Sequence, residues 1–128
     1  MRILIADDNQ LVRNAVAKLL SQQPGWSVCG EAVDAPESVE KARELRPDVI
    51  LLDVSMPGAS GFDAARSIRQ ALPQTKILIM SQNDAVRFLP VALEVGADGC
   101  LDKAQIFGDL VNAIKNLPPR QSSGPIPS

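Results

Sequence analysis

The sequence contains no histidine, and that absence alone removes a large part of enzyme chemistry. A Ser-His triad, a histidine general base and most zinc sites all need the imidazole ring. Only two cysteines occur, Cys29 and Cys100, in unlike settings. They make neither a metal-ligand pair nor a disulfide framework, and both read as small core hydrophobes. No basic stripe is present: 13 Lys and Arg stand against 15 Asp and Glu, a net charge of −2. Neutralising a phosphate backbone needs clustered cations, so this segment is not expected to grip nucleic acid by itself. The longest apolar runs, such as Val49-Ile50-Leu51-Leu52, are far too short to cross a bilayer. The chain opens Met1-Arg2-Ile3 straight into a strand-like segment with no secretory layout ahead of it. A cytoplasmic protein with no membrane partner is the expectation. Neither GxxxxGK[ST] nor GxGxxG occurs, so there is no glycine-rich cradle for a nucleotide. The chemistry left to the chain is that of carboxylates, hydroxyls, lysine and a hard metal ion.

What is there is a regular alternation. The 128 residues fit one domain, and a hydrophobic content of 45% suits a globular core. Strand-like runs read Arg2 to Ala6, Ser27 to Ala32, Asp48 to Asp53, Lys76 to Ser81 and Asp98 to Leu101. The third and fourth are almost wholly apolar, as parallel strands covered on both faces should be. Helix-period segments fill the gaps. Asn9 can cap the first, whose apolar stripe reads Leu11, Ala15, Leu19 with Val12 and Val16 beside it, and which stops near Pro24-Gly25. The second runs from about Pro36 to Leu45, with proline tolerated in its first turn. Ser60-Gly61-Phe62-Asp63 resembles a capping box opening the third, which ends before Pro73. The fourth spans roughly Asp84 to Val95 and closes on Gly96; Pro90 inside it predicts a late start or a kink. The fifth covers Gln105 to Asn116, with Ile106, Leu110, Val111 and Ile114 inward. Trp26 is expected to pack near the start of the second strand, and Phe88 in the core.

Five strand-helix units imply a parallel sheet with right-handed crossovers and helices on both faces. Five short units cannot close a barrel of eight. The expected fold is therefore α/β, a flavodoxin-like (βα)5 doubly wound parallel sheet with strand order 2-1-3-4-5. Residues 1–117 make the domain, and the Pro/Ser-rich residues 118–128 read as a linker or an appended tail.

Sites in open α/β sheets form at the carboxyl ends of the strands. The polar residues there are Asp7 and Asp8 after strand one, Asp53 at the end of strand three, Ser81 at the end of strand four and Lys103 after strand five. Each alone has an ordinary reading: Asp8 and Asn9 as helix caps, Asp53 as a turn residue before Pro57, Ser81 as a satisfied hydroxyl, Lys103 as solvated surface. Their joint placement on one sheet edge reverses the odds. Three carboxylates close together need a cation. Lys103 is one. Mg2+ or Mn2+ is the other, with Asp8 and Asp53 as direct ligands, Asp7 direct or through water, and the backbone carbonyl of Ser55 as a further ligand. In such a pocket Asp53 can accept a phosphoryl group as an acyl phosphate. Lys103, the Ser81 hydroxyl and local amides would then cover the phosphoryl oxygens. The donor must come from outside the chain.

Four pieces, in order, carry a resemblance: Ile5-Ala6-Asp7-Asp8-Asn9, Leu52-Asp53-Val54-Ser55-Met56-Pro57-Gly58, Ser81 closing strand four, and Gly96-Ala97-Asp98-Gly99-Cys100-Leu101-Asp102-Lys103. Over roughly residues 2–117 the chain resembles the receiver domains of bacterial two-component response regulators, most closely the NarL/FixJ-like branch. The resemblance implies that Asp53 is the phosphorylated residue, Asp7 and Asp8 belong to the metal site, Ser81 is the switch hydroxyl and Lys103 contacts the phosphate. It implies a sensor histidine kinase as partner, a second copy of the chain as a phosphorylation-dependent partner, and DNA only through a helix-turn-helix domain absent from this chain. It also implies a phospho-acceptor switch, not an enzyme with turnover on a metabolite. Two features depart from the family pattern. Cys100 stands where the family usually has Tyr or Phe, and Pro90 interrupts the fourth helix. Ser55 and Asn83 occupy the places where the family tunes phosphate lifetime. Two other classes compete: a receiver-like interaction module acting without phosphorylation, and a flavin-binding electron carrier of the same topology. The second lacks a phosphate loop, and Asp7-Asp8 would repel a flavin phosphate.

Overall fold

The computed structural model describes residues 1–56, 61–82 and 85–119. Five strands and five helices alternate: β1 Arg2–Ala6, α1 Gln10–Ser21, β2 Ser27–Ala32, α2 Ala35–Leu45, β3 Val49–Asp53, α3 Gly61–Ala71, β4 Lys76–Ser81, α4 Ala85–Glu94, β5 Gly99–Asp102 and α5 Ile106–Lys115. A single 3-10 turn, Lys103–Gln105, joins β5 to α5. The strands form one sheet in the order β2-β1-β3-β4-β5, and every pair is parallel. This is the flavodoxin-like doubly wound fold that the alternation implies.

Side-chain alternation along the strands divides the core in two. Leu4, Ile50, Leu52, Ile77 and Ile79 point to the face covered by α2, α3 and α4, where Ala42, Ala65, Ile68 and Ala92 meet them. Ile3, Ile5, Val49, Leu51, Leu78 and Met80 point to the other face, against Val16 and Leu20 of α1 and Leu110 and Ile114 of α5. β3 is buried along its whole length, as its unbroken apolar run requires. Small residues on α2 and α3 (Ala35, Ala42, Ala64, Ala65) let those helices lie close to the sheet.

Local chemistry sets the helix ends. The Asn9 side chain accepts from the amides of Leu11 and Val12 at 2.9 and 3.3 Å, capping α1. Asp34 caps α2 by accepting from Glu37 N at 2.7 Å, and Glu37 returns a bond from Val33 N. α4 closes on Gly96 at φ +96, where a Cβ would collide with the Arg69 side chain.

Several expectations need correction. Leu11 is 79% exposed; the buried stripe of α1 is Val16 and Leu20, with Val12 and Leu19 packed beside them. The stripe is thus Val12-Val16-Leu20, one position later than Leu11-Ala15-Leu19, and Leu11 is turned away from the sheet. Val111 is only half-buried. β3 starts at Val49, and β5 runs Gly99–Asp102, each one residue later than the apolar runs suggest. α4 runs from Ala85 to Glu94 with Pro90 inside it. Cys29 and Cys100 are free and half-buried, packed against the core from the two edge strands. Trp26 packs on the α1/α5 side. Phe88 is half-buried and meets Phe62 with ring centroids 5.7 Å apart. Pro57, Gly58, Ser60, Asn83, Asp84 and residues 120–128 lie outside the described residues, and with them the capping-box serine and the tail.

Candidate functional site

The sheet order brings the carboxyl ends of β1, β3, β4 and β5 side by side. Asp7 follows β1 directly, and its amide bonds to Ala32 O of β2 at 3.0 Å. Asp53 is the last residue of β3, and the next amide, Val54 N, bonds to Met80 O of β4 at 3.1 Å. Both aspartates are fully buried, while Asp8 is exposed. Oxygens of Asp7, Asp8 and Asp53 all lie within 4.8 Å of one another. The three acids that the sequence placed on one rim do meet there.

Lys103 enters from the turn after β5. Its Nζ is 2.8 Å from Asp53 Oδ2, to which it donates a hydrogen bond, and 2.8 Å from Asp7 Oδ2. Among the described residues Asp7 Oδ2 has no partner other than this ammonium. The other Asp7 oxygen accepts from Asn9 N at 2.9 Å. Asp53 Oδ1 accepts from both the amide and the hydroxyl of Ser55, at 2.9 and 2.7 Å.

One ammonium does not balance three carboxylates. Burial raises the Asp7 carboxyl above its ordinary value of 3.8, Lys103 and the Asn9 amide oppose the rise, and the Asp53 charge adds to it. Burial pulls the Lys103 ammonium down, yet the two carboxylates outweigh it and hold the group above 10.5. The lysine is thus fixed as a cation, and negative charge remains in surplus beside it. An all-oxygen cluster of three carboxylates within 4.8 Å, carrying more negative charge than one ammonium balances, fits a hard divalent cation such as Mg2+.

Ser81 is 1% exposed. Its hydroxyl donates not into the acidic cluster but to Asp102 Oδ1, at 3.3 Å. The same oxygen accepts from Ala85 N, the first residue of α4, at 2.7 Å. Cys100 stands two residues before Asp102; burial raises its thiol, and a hydrogen bond with Ser81 opposes the rise. Sequence reasoning missed Asp102 and the Ser55 hydroxyl. An acid directly before Lys103 was visible, but its pairing with Ser81 depends on the β4/β5 register, which the chain alone does not display. A cavity of about 450 Å3 lies at the opposite, amino-terminal ends of β3 and β4, lined by Arg46, Pro47, Asp48, Leu72 and Thr75 among others, and it contains none of these groups.

The chain belongs to the response regulator receiver domain family, whose pattern matches residues 3–115. It is 36% identical over 115 residues to the response regulator GacA of Pseudomonas viridiflava, covering 90% of this chain and 54% of that protein. It is 38% identical over 115 residues to the transcriptional regulatory protein YxjL of Bacillus subtilis, covering 90% and 53%. Among solved structures it is similar to a LuxR-family two-component response regulator from Aurantimonas sp., with TM-score 0.83, 37% identity and coverage of 89% and 81%. It is also similar to the response regulator domain of Thermotoga maritima CheB, with TM-score 0.82, 31% identity and coverage of 91% and 95%. These likenesses include the NarL-type branch: the receiver of NarL from Mycobacterium tuberculosis superposes with TM-score 0.77 at 34% identity, covering 90% of this chain and 96% of that one. The chain spans about half the length of the curated relatives it matches. Among the described residues no helix is long and apolar enough to cross a membrane.

Proposed function

We propose that Asp53 is the phosphoryl acceptor of a signalling switch, loaded by a sensor histidine kinase in the cytoplasm. In the transfer, an Asp53 carboxylate oxygen forms a bond to phosphorus while the donor's P–N bond breaks, and the leaving imidazole nitrogen keeps the electron pair. In the later hydrolysis, water forms a bond to phosphorus while the acyl-phosphate P–O bond breaks, releasing inorganic phosphate and the free Asp53 carboxylate. The observation that carries this reading is Lys103 Nζ held 2.8 Å from both Asp7 and Asp53 beside three carboxylates within 4.8 Å. Lys103 is placed to move from an Asp53 oxygen to a phosphoryl oxygen, neutralising charge where it develops. The Ser55 amide and hydroxyl orient Asp53. Asp8 and Asp53, with Asp7 directly or through water and the Ser55 carbonyl, would hold Mg2+ or Mn2+. The ion supplies further charge neutralisation of the phosphoryl oxygens when bound.

The output of the switch is transcriptional, through a helix-turn-helix domain joined after residue 117 by the Pro/Ser-rich segment. The YxjL relative is a transcriptional regulatory protein by name. A phosphorylation-dependent dimer is the second partner state, and α4 and α5 carry exposed apolar side chains suited to it, Val86, Leu93 and Phe107. The test is incubation with a small acyl phosphate and magnesium, read by intact mass. The wild type gains one phosphoryl mass, and neither Asp53→Asn nor a chelator-treated sample does. A wild type that gains nothing under any donor overturns the reading.

A further inference from the structure

Ser81 and Asp102 are register partners on neighbouring parallel strands. Asp102 and Cys100 lie two residues apart on β5, hence on one face of it. That face turns toward α4, since Ile79, the register partner of Cys100, packs in the core with Ala92. Three polar groups thus gather between the sheet end and the start of α4. One oxygen, Asp102 Oδ1, serves two donors there: the Ser81 hydroxyl at 3.3 Å and the Ala85 amide at 2.7 Å.

The Ala85 amide is one of the donors that the first turn of a helix cannot satisfy internally. A carboxylate at that end also suits the positive end of the helix dipole. Asp102 therefore caps α4 from the adjacent strand. The Ser81 hydroxyl is buried, and a buried donor needs an acceptor. In this state its acceptor is Asp102; a phosphoryl group on Asp53 offers another. The hydroxyl has a single proton to give and cannot donate fully to both.

We propose that Asp102 is a positioning residue that latches the resting state, holding the Ser81 hydroxyl and the first amide of α4 on one oxygen until a phosphoryl group at Asp53 draws the hydroxyl away. This rests on the phosphoryl-acceptor reading of Asp53. When the hydroxyl leaves, Asp102 keeps only its bond to Ala85, so the start of α4 senses the exchange. The device needs no ring at Cys100: the coupling runs through a charged acceptor on the same strand. Asp102 competes with the phosphoryl group for Ser81, and its removal favours the switched state.

The test uses beryllofluoride, a tetrahedral phosphoryl mimic that binds a carboxylate, with magnesium and the full chain. Affinity is titrated by amide NMR, and the Ala85 resonance is followed. Asp102→Asn keeps the size and an acceptor oxygen but removes the charge, and circular dichroism confirms the fold. Its expected affinity for beryllofluoride rises about fivefold, within the usual span of coupling between sites, and its free Ala85 resonance moves toward the wild-type bound position. In a Ser81→Ala background the same substitution changes affinity less than about twofold, because the hydroxyl arm is gone. A helix cap and nothing more would give the same change in both backgrounds. A wild type that binds the mimic, with Asp102→Asn unchanged, weaker, or equally altered in both backgrounds, overturns the latch and leaves the acceptor reading standing. A wild type that binds no mimic overturns both.

Discussion

Asp7 shows how a site residue and a stabilising residue differ. Its carboxylate is fully buried, one oxygen rests against the Lys103 ammonium at 2.8 Å, and burial raises its titration above 3.8. The native state therefore keeps a proton that the unfolded chain has already released. Between 3.8 and the raised value, more protons are bound to the native state, so stability falls as pH rises through that window. Lys103 acts at the other end of the scale. Its folded value lies above 10.5, so its stabilising contribution is full below 10.5 and is lost as pH rises through that folded value. Asp7→Asn removes a buried charge while keeping the oxygen that accepts from Asn9 N. The metal-free variant should melt a few degrees higher than wild type at neutral pH, with a flatter acid-side dependence. The gain in melting midpoint expected of the wild type on adding magnesium should shrink sharply in the variant. Calorimetry with and without magnesium checks both; a metal-free variant that melts lower contradicts the assignment. The residues of this cluster were legible because acids and a lysine at strand ends can be placed once strand order is known. The destination of the Ser81 hydroxyl was not, because Ser81 faces Asp102 only through the alignment of β4 with β5.

Among the elements, α1 and α4 separate what periodicity reveals from what it hides. Apolar spacing located α1, and Asn9 marked its start correctly. Losing the two bonds that Asn9 makes to Leu11 and Val12 should destabilise Asn9→Ala by about 1 kcal/mol, measured by urea unfolding. The sequence did not tell which stripe faces the sheet, since Leu11, Val12, Val16, Leu19 and Leu20 wrap about half the helix. Packing against β1 and α5 decided for Val12-Val16-Leu20 and left Leu11 in solvent. In α4 the proline suggested a kink or late start, and the helix runs from Ala85 to Glu94 with Pro90 inside it. Pro90 is exposed, and it carries no amide hydrogen, so the Val86 carbonyl has no amide to receive at that position. An interior proline costs about 3 kcal/mol against alanine, of which up to about 1 returns through the stiffer unfolded chain. Pro90→Ala should therefore stabilise by about 2 kcal/mol, seen as a higher urea midpoint at unchanged slope. A lower midpoint would mean that α4 needs the proline to hold its position.

For the molecule as a whole, the fold was the most legible feature. Alternating apolar strands and amphipathic helices, with β3 and β4 too apolar for any edge, leave the doubly wound sheet as the natural packing. That sheet order places β1, β3, β4 and β5 next to one another, and the acidic rim follows from it. What resisted reading was whatever depends on register and side-chain direction: the inward stripe of α1 and the partners of Asp102. The central claim is that one carboxylate in this rim, that of Asp53, takes the phosphoryl group. Borohydride reduces an acyl phosphate and converts the modified aspartate into homoserine. The chain, loaded with a small acyl phosphate and magnesium, is reduced, digested and sequenced by tandem mass spectrometry. The result expected is homoserine at position 53 and nowhere else; homoserine at position 7 or 8, or phosphorylation that leaves position 53 unmodified, would contradict the account.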